Sequence, residues 1–268
     1  MRYVFDHDLH IHSYLSGCSD DPEQNPQRML QYAKEFGLKQ LCITDHFWDE
    51  KVPGAENSYL KGQGVAHISR IKPLPQADGI EFLFGCETDM DQNMQLGVSK
   101  ETMDLLDFIV IPTTHMHMVG FVISEEDCTI EGKARVWVER LEALLAKDLP
   151  FHKIGIAHLT CSLIDSSSRE NYIKVLNLLR EEDLYRVFKK AAEVGCGIEL
   201  NSDDMRLRPG EEEAILRIYR IAKECGCKFY CGSDAHHPAT LDAAKAIYER
   251  AIDLLELDEN DKFHIIKK

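Results

Sequence analysis

Short apolar runs alternate with stretches of helical period along the whole chain, the pattern of β/α units around a parallel sheet. The runs fall at residues 3–5, 41–44, 82–86, 108–112, 154–157, 198–200 and 228–231. Between the first two, Asn25, Pro26 and Gly37 predict a helix as its N-cap, first turn and C-cap. A short helix is expected from Ser99, and residues 131–147 place Val136, Val138, Leu141, Leu144 and Leu145 at helical spacing. Residues 168–194 read as one helix or two ending at Gly195, 211–224 as a helix before Gly226, and 241–256 as the last. Residues 49–79 hold several Gly and Pro without a clean period, so they are expected to form an insertion over one face. Seven units predict a closed or nearly closed α/β barrel, with any site at the C-terminal ends of its strands. Nothing in the 268 residues looks like a linker or an internal repeat, so one domain over 1–268 is expected.

Six of the seven runs have a metal-ligating side chain at or just past their end. His10-Ile11-His12 follows the first, His46 the second, Glu87 the third, His115 the fourth, His158 the fifth and Asp234-Ala235-His236 the last. Positions i and i+2 of an extended segment share a face, so each of the two pairs presents two ligands side by side. Imidazole and carboxylate are the ligand types for divalent first-row metals at hydrolytic sites. One such histidine alone would read as a surface or capping residue; the same placement six times points to a metal centre.

Charge narrows the partners. The formal net charge of −15, with no basic patch beyond isolated pairs such as Lys189-Lys190, argues against nucleic acid and leaves a small anionic substrate drawn to bound cations. The chain has no 18-residue apolar stretch and starts without a signal-peptide pattern, so no membrane association and a cytoplasmic location are expected. The nine cysteines are odd in number, lack a C-x-x-C pair and lie mostly in apolar runs, which fits reduced thiols. Cys18, in a polar loop, stands apart as a possible ligand.

Asp8-Leu9-His10-Ile11-His12-Ser13, Thr44-Asp45-His46, Gly85-Cys86-Glu87, Thr114-His115, Ala157-His158-Leu159 and Gly232-Ser233-Asp234-Ala235-His236 resemble, in order, the motifs of the PHP (polymerase and histidinol phosphatase) family. Glu199-Leu200-Asn201-Ser202 followed by Arg206 resembles a segment of its histidinol-phosphatase branch. The resemblance implies a distorted seven-stranded, TIM-like barrel holding two or three divalent ions of Zn, Mn or Fe, and phosphoester hydrolysis. Carried over by position, one metal takes His10, His12, Glu87 and Asp234. A second takes Glu87 as a bridge with His115 and His158. A third takes His46, His236 and a ligand from the loop after the first pair. That loop ligand is Asp20 or Cys18, with Asp20 favoured because oxygen is the harder donor.

The expected reaction is attack on a small phosphomonoester by hydroxide formed from water between metals that share Glu87, with histidinol phosphate the leading substrate. His236 or Asp20 is expected to assist the leaving group. Arg206, or alternatively Arg208, is expected to clamp the phosphate. His117 is an alternative to His115 or a substrate contact, and His237 orients its loop or touches substrate. Asp45, beside His46, is expected to orient a ligand by a hydrogen bond rather than bind metal itself. Three other functions compete: a nuclease or phosphodiesterase, disfavoured by charge; an amidohydrolase, disfavoured because Glu87 and His115 occupy the middle strands where a carbamylated lysine would sit; and a non-catalytic metal-binding regulator.

Overall fold

The computed structural model describes residues 1–266. Its strands are β1 (His7–Ile11), β2 (Gln40–Ile43), β3 (His46–Phe47), β4 (Glu81–Thr88), β5 (Phe108–Pro112), β6 (Ile154–Ala157), β7 (Gly197–Asn201) and β8 (Lys228–Gly232). Seven lie in the order β1-β2-β4-β5-β6-β7-β8, all parallel, while β3 extends the pairing along the carboxyl end of β4. The two edges, β1 and β8, approach each other at that same end. There Asp234 N donates to His10 O at 2.7 Å and His12 N to Ala235 O at 3.1 Å. The result is a nearly closed barrel of seven parallel strands.

The helices are α1 (Pro26–Phe36), α2 (Val65–Ile68), α3 (Lys100–Met103), α4 (Ile130–Leu145), α5 (Arg169–Leu178), α6 (Glu181–Val194), α7 (Glu212–Glu224) and α8 (Pro238–Leu254). The Asn25 side chain accepts from Arg28 N, and Gly37 closes α1 with φ 73°, a left-handed angle that glycine takes without strain. The long stretch before Gly195 is two helices, α5 and α6. Helix α8 starts three residues before its expected position because Pro238, lacking an N–H, fits the first turn. Among the described residues no helix is long and apolar enough to cross a membrane.

Two apolar layers hold the barrel. Leu9, Cys42, Leu83, Phe108, Val110, Ala157 and Tyr230 from the strands pack together, with Phe263 of the C-terminal segment beside them. The alternate strand residues, among them Ile11, Ile109, Ile111, Ile156 and Ile198, pack with Leu141, Phe188 and Tyr219 of the surrounding helices. Strands buried on both faces read as apolar runs rather than alternating ones, which is why most were legible.

The first strand is the exception. It spans His7–Ile11, not residues 3–5, and it is polar although fully buried. Its polarity is satisfied by the closing segment: Cys231 N donates to His7 Nε2 at 3.1 Å and Ser233 N to Asp8 Oδ1 at 2.9 Å. A strand built from paired polar groups gives no hydrophobic signal. The run at 41–44 likewise stops at Ile43, and the chain resumes pairing as β3 only after Asp45 has turned into the loop that follows β1.

Gly155 and Gly197 make room for the Tyr230 ring. A Cβ at residue 155 would lie 2.5 Å from that ring, and one at 197 would lie 2.9 Å from it. Gly155→Ala is therefore expected to destabilise the fold by about 1–3 kcal/mol through overpacking, read as a lower urea midpoint at unchanged slope. An unchanged midpoint would show that the ring moves freely and is not a fixed part of the core.

Candidate metal centre

Glu87, near the end of β4, is the hub of the carboxyl face. Its buried carboxylate has imidazoles on both oxygens. Oε2 lies 2.8 Å from His46 Nδ1, 3.3 Å from His12 Nε2 and 3.6 Å from His10 Nε2. Oε1 lies 3.1 Å from His158 Nε2 and 3.9 Å from His115 Nε2. Asp234 supplies a second carboxylate, its Oδ1 3.0 Å from His12 Nε2 and 3.5 Å from His10 Nε2. The side chains form three groups compact enough to hold an ion: His10, His12 and Asp234; Glu87, His115 and His158; His12, His46 and His236.

Five of the six imidazoles, all but His46, are aimed by a partner on the far nitrogen. His10 Nδ1 lies 2.7 Å from Glu199 Oε1, and His115 Nδ1 lies 3.0 Å from Asp89 Oδ1. His12 Nδ1 meets Ser16 Oγ at 2.8 Å, and that hydroxyl donates to Asp45 Oδ1 at 2.9 Å. His158 Nδ1 lies 3.0 Å from Thr114 Oγ1, and His236 Nδ1 lies 2.8 Å from Asp234 O. A carboxylate or carbonyl can only accept, so the proton sits on Nδ1 and the Nε2 lone pair is left to the centre. Glu199 is itself fixed: its Oε2 accepts from His158 N at 2.7 Å. A Cβ at Gly232 would lie 1.9 Å from its Oε1, so only glycine leaves it space.

These residues fit divalent cations. The Nε2 atoms of His10 and His12 face each other at 3.0 Å. With both Nδ1 atoms donating, two lone pairs would meet there unless a positive charge lay between them. His46 Nδ1 and Glu87 Oε2 are buried and complete no hydrogen bond despite their proximity. Buried polar atoms without partners are costly, and a shared cation removes that cost. His158 and Asp234 also hold backbone angles of φ 28° and 53°, which side-chain-bearing residues seldom adopt. Strain of this kind persists where the surroundings demand one side-chain position.

The electrostatics agree. Burial alone would drive His10 and His12 down, but Glu199, Asp234 and Glu87 reverse this for His10, which ends well above its usual value. Asp234 and Glu87 likewise raise His12 to about 9. Burial would raise Glu87, yet His46 and His10 hold it well below the usual carboxylate range. His236 is the opposite case: burial, then the charge on His12, pushes it down to about 3.

A cavity of about 410 Å³ opens over the centre, bounded by Gly17, Cys18, His46, Tyr59, Glu87, His115, His117, Leu163, Asp234 and His236. The structure thus brings together His10, His12, His46, Glu87, His115, His158, Asp234 and His236, and sets His117 on the wall. It does not bring in Asp20, which is exposed and outside both the cavity and the three groups. The loop turns Cys18 to the wall instead, because Ser19 Oγ donates to His236 O at 2.9 Å and faces the next residue outward. The third group has His12 beside His46 and His236 and no residue of that loop. Arg206 is about half exposed, 3.8 Å from Asp203, and not part of the wall. His237 is half exposed at the start of α8, 3.7 Å from Asp21. Asp45 accepts from Ser13 N and from the Ser13 and Ser16 hydroxyls, and through Ser16 it orients His12.

Asp89, Tyr59 and Leu163 escaped the sequence reading. Asp89 had a signal, two positions beyond Glu87 and so on its face. Tyr59 lies in a turn and Leu163 in a single helical turn, Ser162–Ile164, both too short to leave a period, and had none.

Against known proteins, the PHP domain family model matches residues 8–264. The chain belongs to the PHP domain family. A protein named probable phosphatase from Thermoanaerobacter sp. (strain X514) is 27% identical over 236 residues, 85% of this chain and 78% of that one. A probable phosphatase from Acetivibrio thermocellus is 26% identical over 238 residues, 88% and 80% of the two chains. The crystal structure of histidinol phosphate phosphatase from Lactococcus lactis, complexed with Zn, L-histidinol and phosphate, superposes with a TM-score of 0.58 at 16% identity. The superposition covers 92% of this chain and 93% of that one, and establishes the shared PHP barrel.

Because the carboxylates hold protons on His10 and His12, a cation must displace them to bind. A folded pKa raised to about 9 for His12 extends this competition upward. Metal affinity is therefore expected to rise with pH from 6 to about 9, with net proton release at pH 7 in calorimetry across buffers of different ionisation enthalpy. Flat affinity over that range would show that these imidazoles are not the ligands.

Proposed function

We propose that this PHP protein is a metal-dependent phosphoesterase that hydrolyses a small phosphomonoester, with histidinol phosphate the leading candidate substrate. The observation that carries the reading is Glu87, whose two oxygens face separate imidazole groups as a carboxylate shared between cations would. The names of the relatives and the ligands in the Lactococcus lactis enzyme support the same chemistry. His10, His12, Asp234 and one oxygen of Glu87 would hold one ion, the other Glu87 oxygen with His115 and His158 another, and His46 and His236 would contribute to a third. Such ions, of the Zn, Mn or Fe type, supply Lewis acidity toward phosphoryl oxygens and lower the pKa of water.

The chain's own part is positioning. Glu199, Asp89, Ser16 and Thr114 fix the rings, so the ligand geometry exists before substrate arrives and little reorganisation is needed as charge develops. His236 near pH 7 is a neutral imidazole, the form that suits a ligand; as a general acid it would lack its proton. Asp20, exposed and outside the cavity lining, is given no part in this reading. Burial and the neighbouring His115 push His117 down to about 4, so it meets substrate as a neutral ring able to donate or accept one hydrogen bond. With Arg206 away from the wall, phosphate anchoring falls to the ions. The cavity offers no basic groove of the kind a nucleic-acid backbone needs.

The test is an assay on histidinol phosphate, p-nitrophenyl phosphate, a nucleoside monophosphate and a single-stranded oligonucleotide. Chelation should abolish monoester turnover and Zn, Mn or Fe restore it, with the oligonucleotide untouched. Glu87→Gln should lower kcat at least about a hundredfold and reduce metal content, because a shared ligand supports two ions, and His117→Ala should cost less. Asp20→Asn should leave metal content unchanged. Full activity after exhaustive chelation, or equal mild losses in the first two variants, would contradict the proposal.

A further inference from the structure

The walls of the cavity above the ligands carry information about the leaving group. They contain Tyr59, Leu163, Cys18 and His117 and, among the described residues, no lysine or arginine. Tyr59 reaches in from the insertion at 49–79, its ring 5.5 Å from His46 and perpendicular to it, with 45% of the residue still exposed to the cavity mouth. No hydrogen bond from its hydroxyl to protein occurs among the described residues, so that group is free for a ligand.

Tyr59 is held where it is. The buried Gln63 donates from Nε2 to Tyr59 O at 2.9 Å and accepts from Gly17 N at 3.2 Å on Oε1, while its own carbonyl accepts from Trp48 N at 3.2 Å. A Cβ at Gly17 would lie 2.9 Å from Gln63 Nε2, so the glycine lets the two loops close on one another. One glutamine thus ties Tyr59 to the loop that carries Cys18 and to the segment that follows His46. An aromatic side chain carried into a cavity on backbone tied in this way, with only two side-chain torsions to order, is a means of selecting what lies against it.

Resting on the phosphomonoesterase reading, we propose that Tyr59, on the same cavity wall as Leu163, selects the leaving group, and that the selected alcohol carries a flat ring and no acidic group. The ions satisfy one phosphoryl group. A second phosphate or a carboxylate on the leaving group would lose part of its hydration against Leu163 and Tyr59 with no lysine or arginine among the described wall residues to pair with, which is unfavourable. A ring can instead pack against the Tyr59 ring and the Leu163 side chain that line the cavity, since aromatic stacking is favourable and needs no charge partner. Tyr59 is the specificity residue; Gln63 is a positioning residue that acts through it.

The test compares kcat/KM for phenyl phosphate, phosphoethanolamine, 3-phosphoglycerate and a sugar bisphosphate on the metal-loaded enzyme and on Tyr59→Phe, Tyr59→Ala and Gln63→Ala, with metal content measured in parallel. Wild type should prefer phenyl phosphate over 3-phosphoglycerate by roughly tenfold or more. Tyr59→Ala should reduce that preference about tenfold, chiefly through KM, and Tyr59→Phe should keep it. Gln63→Ala should erode it in the same direction without loss of metal. An unchanged preference in Tyr59→Ala, or equal rates on phenyl phosphate and the acidic substrates in wild type, overturns the leaving-group assignment and leaves the phosphomonoesterase reading standing. Turnover of none of the four esters by metal-loaded enzyme overturns both.

Discussion

A carboxylate buried among imidazoles is the constraint on which the rest of this molecule depends. Glu87 cannot be desolvated alone at acceptable cost, and five histidines with their lone pairs turned inward cannot be packed together without positive charge between them. Each solves the other's problem only if cations, or protons in their place, lie in the middle. The direction of the shifts is consistent with this: Glu87 is held far down and His10 and His12 are held up, the state of a site that stores protons until a cation displaces them.

Much of the barrel's irregularity follows from serving that site. Strand β1 is polar because it carries Asp8 and His10, and β8 with its following turn closes the barrel by donating backbone N–H groups to Asp8 and to the His10 carbonyl. Gly232 is bare because Glu199 must pass beside it to reach His10. His158 and Asp234 accept left-handed backbone angles at the ends of their strands. Each feature would be a liability in an ordinary barrel and is explained by ligand placement.

The central strands and principal helices were readable because strands buried on both faces leave apolar runs and the helices leave caps. The ligand set was readable for a related reason: parallel strands put their carboxyl ends on one face, so a ligand type at the end of run after run converges in space. What was not readable depends on tertiary pairing. The true extent of β1 is hidden because its polar groups are satisfied by residues more than two hundred positions away. Asp20 looked a better ligand than Cys18 by donor hardness, but the Ser19 hydroxyl bonds to the His236 carbonyl and turns Asp20 outward, a geometric fact no spacing encodes. Arg206 matched a motif segment, yet the loop leaves it at the surface beside Asp203. Tyr59 enters from a segment with no period at all.

Diffraction from crystals of protein purified without chelator, recorded above and below the Mn, Fe and Zn absorption edges, tests the central claim most directly. The account predicts at least two anomalous peaks roughly 3.5–4 Å apart, with Glu87 contributing one oxygen to each. A single peak that does not touch Glu87, or no peak among these histidines at any edge, would contradict it.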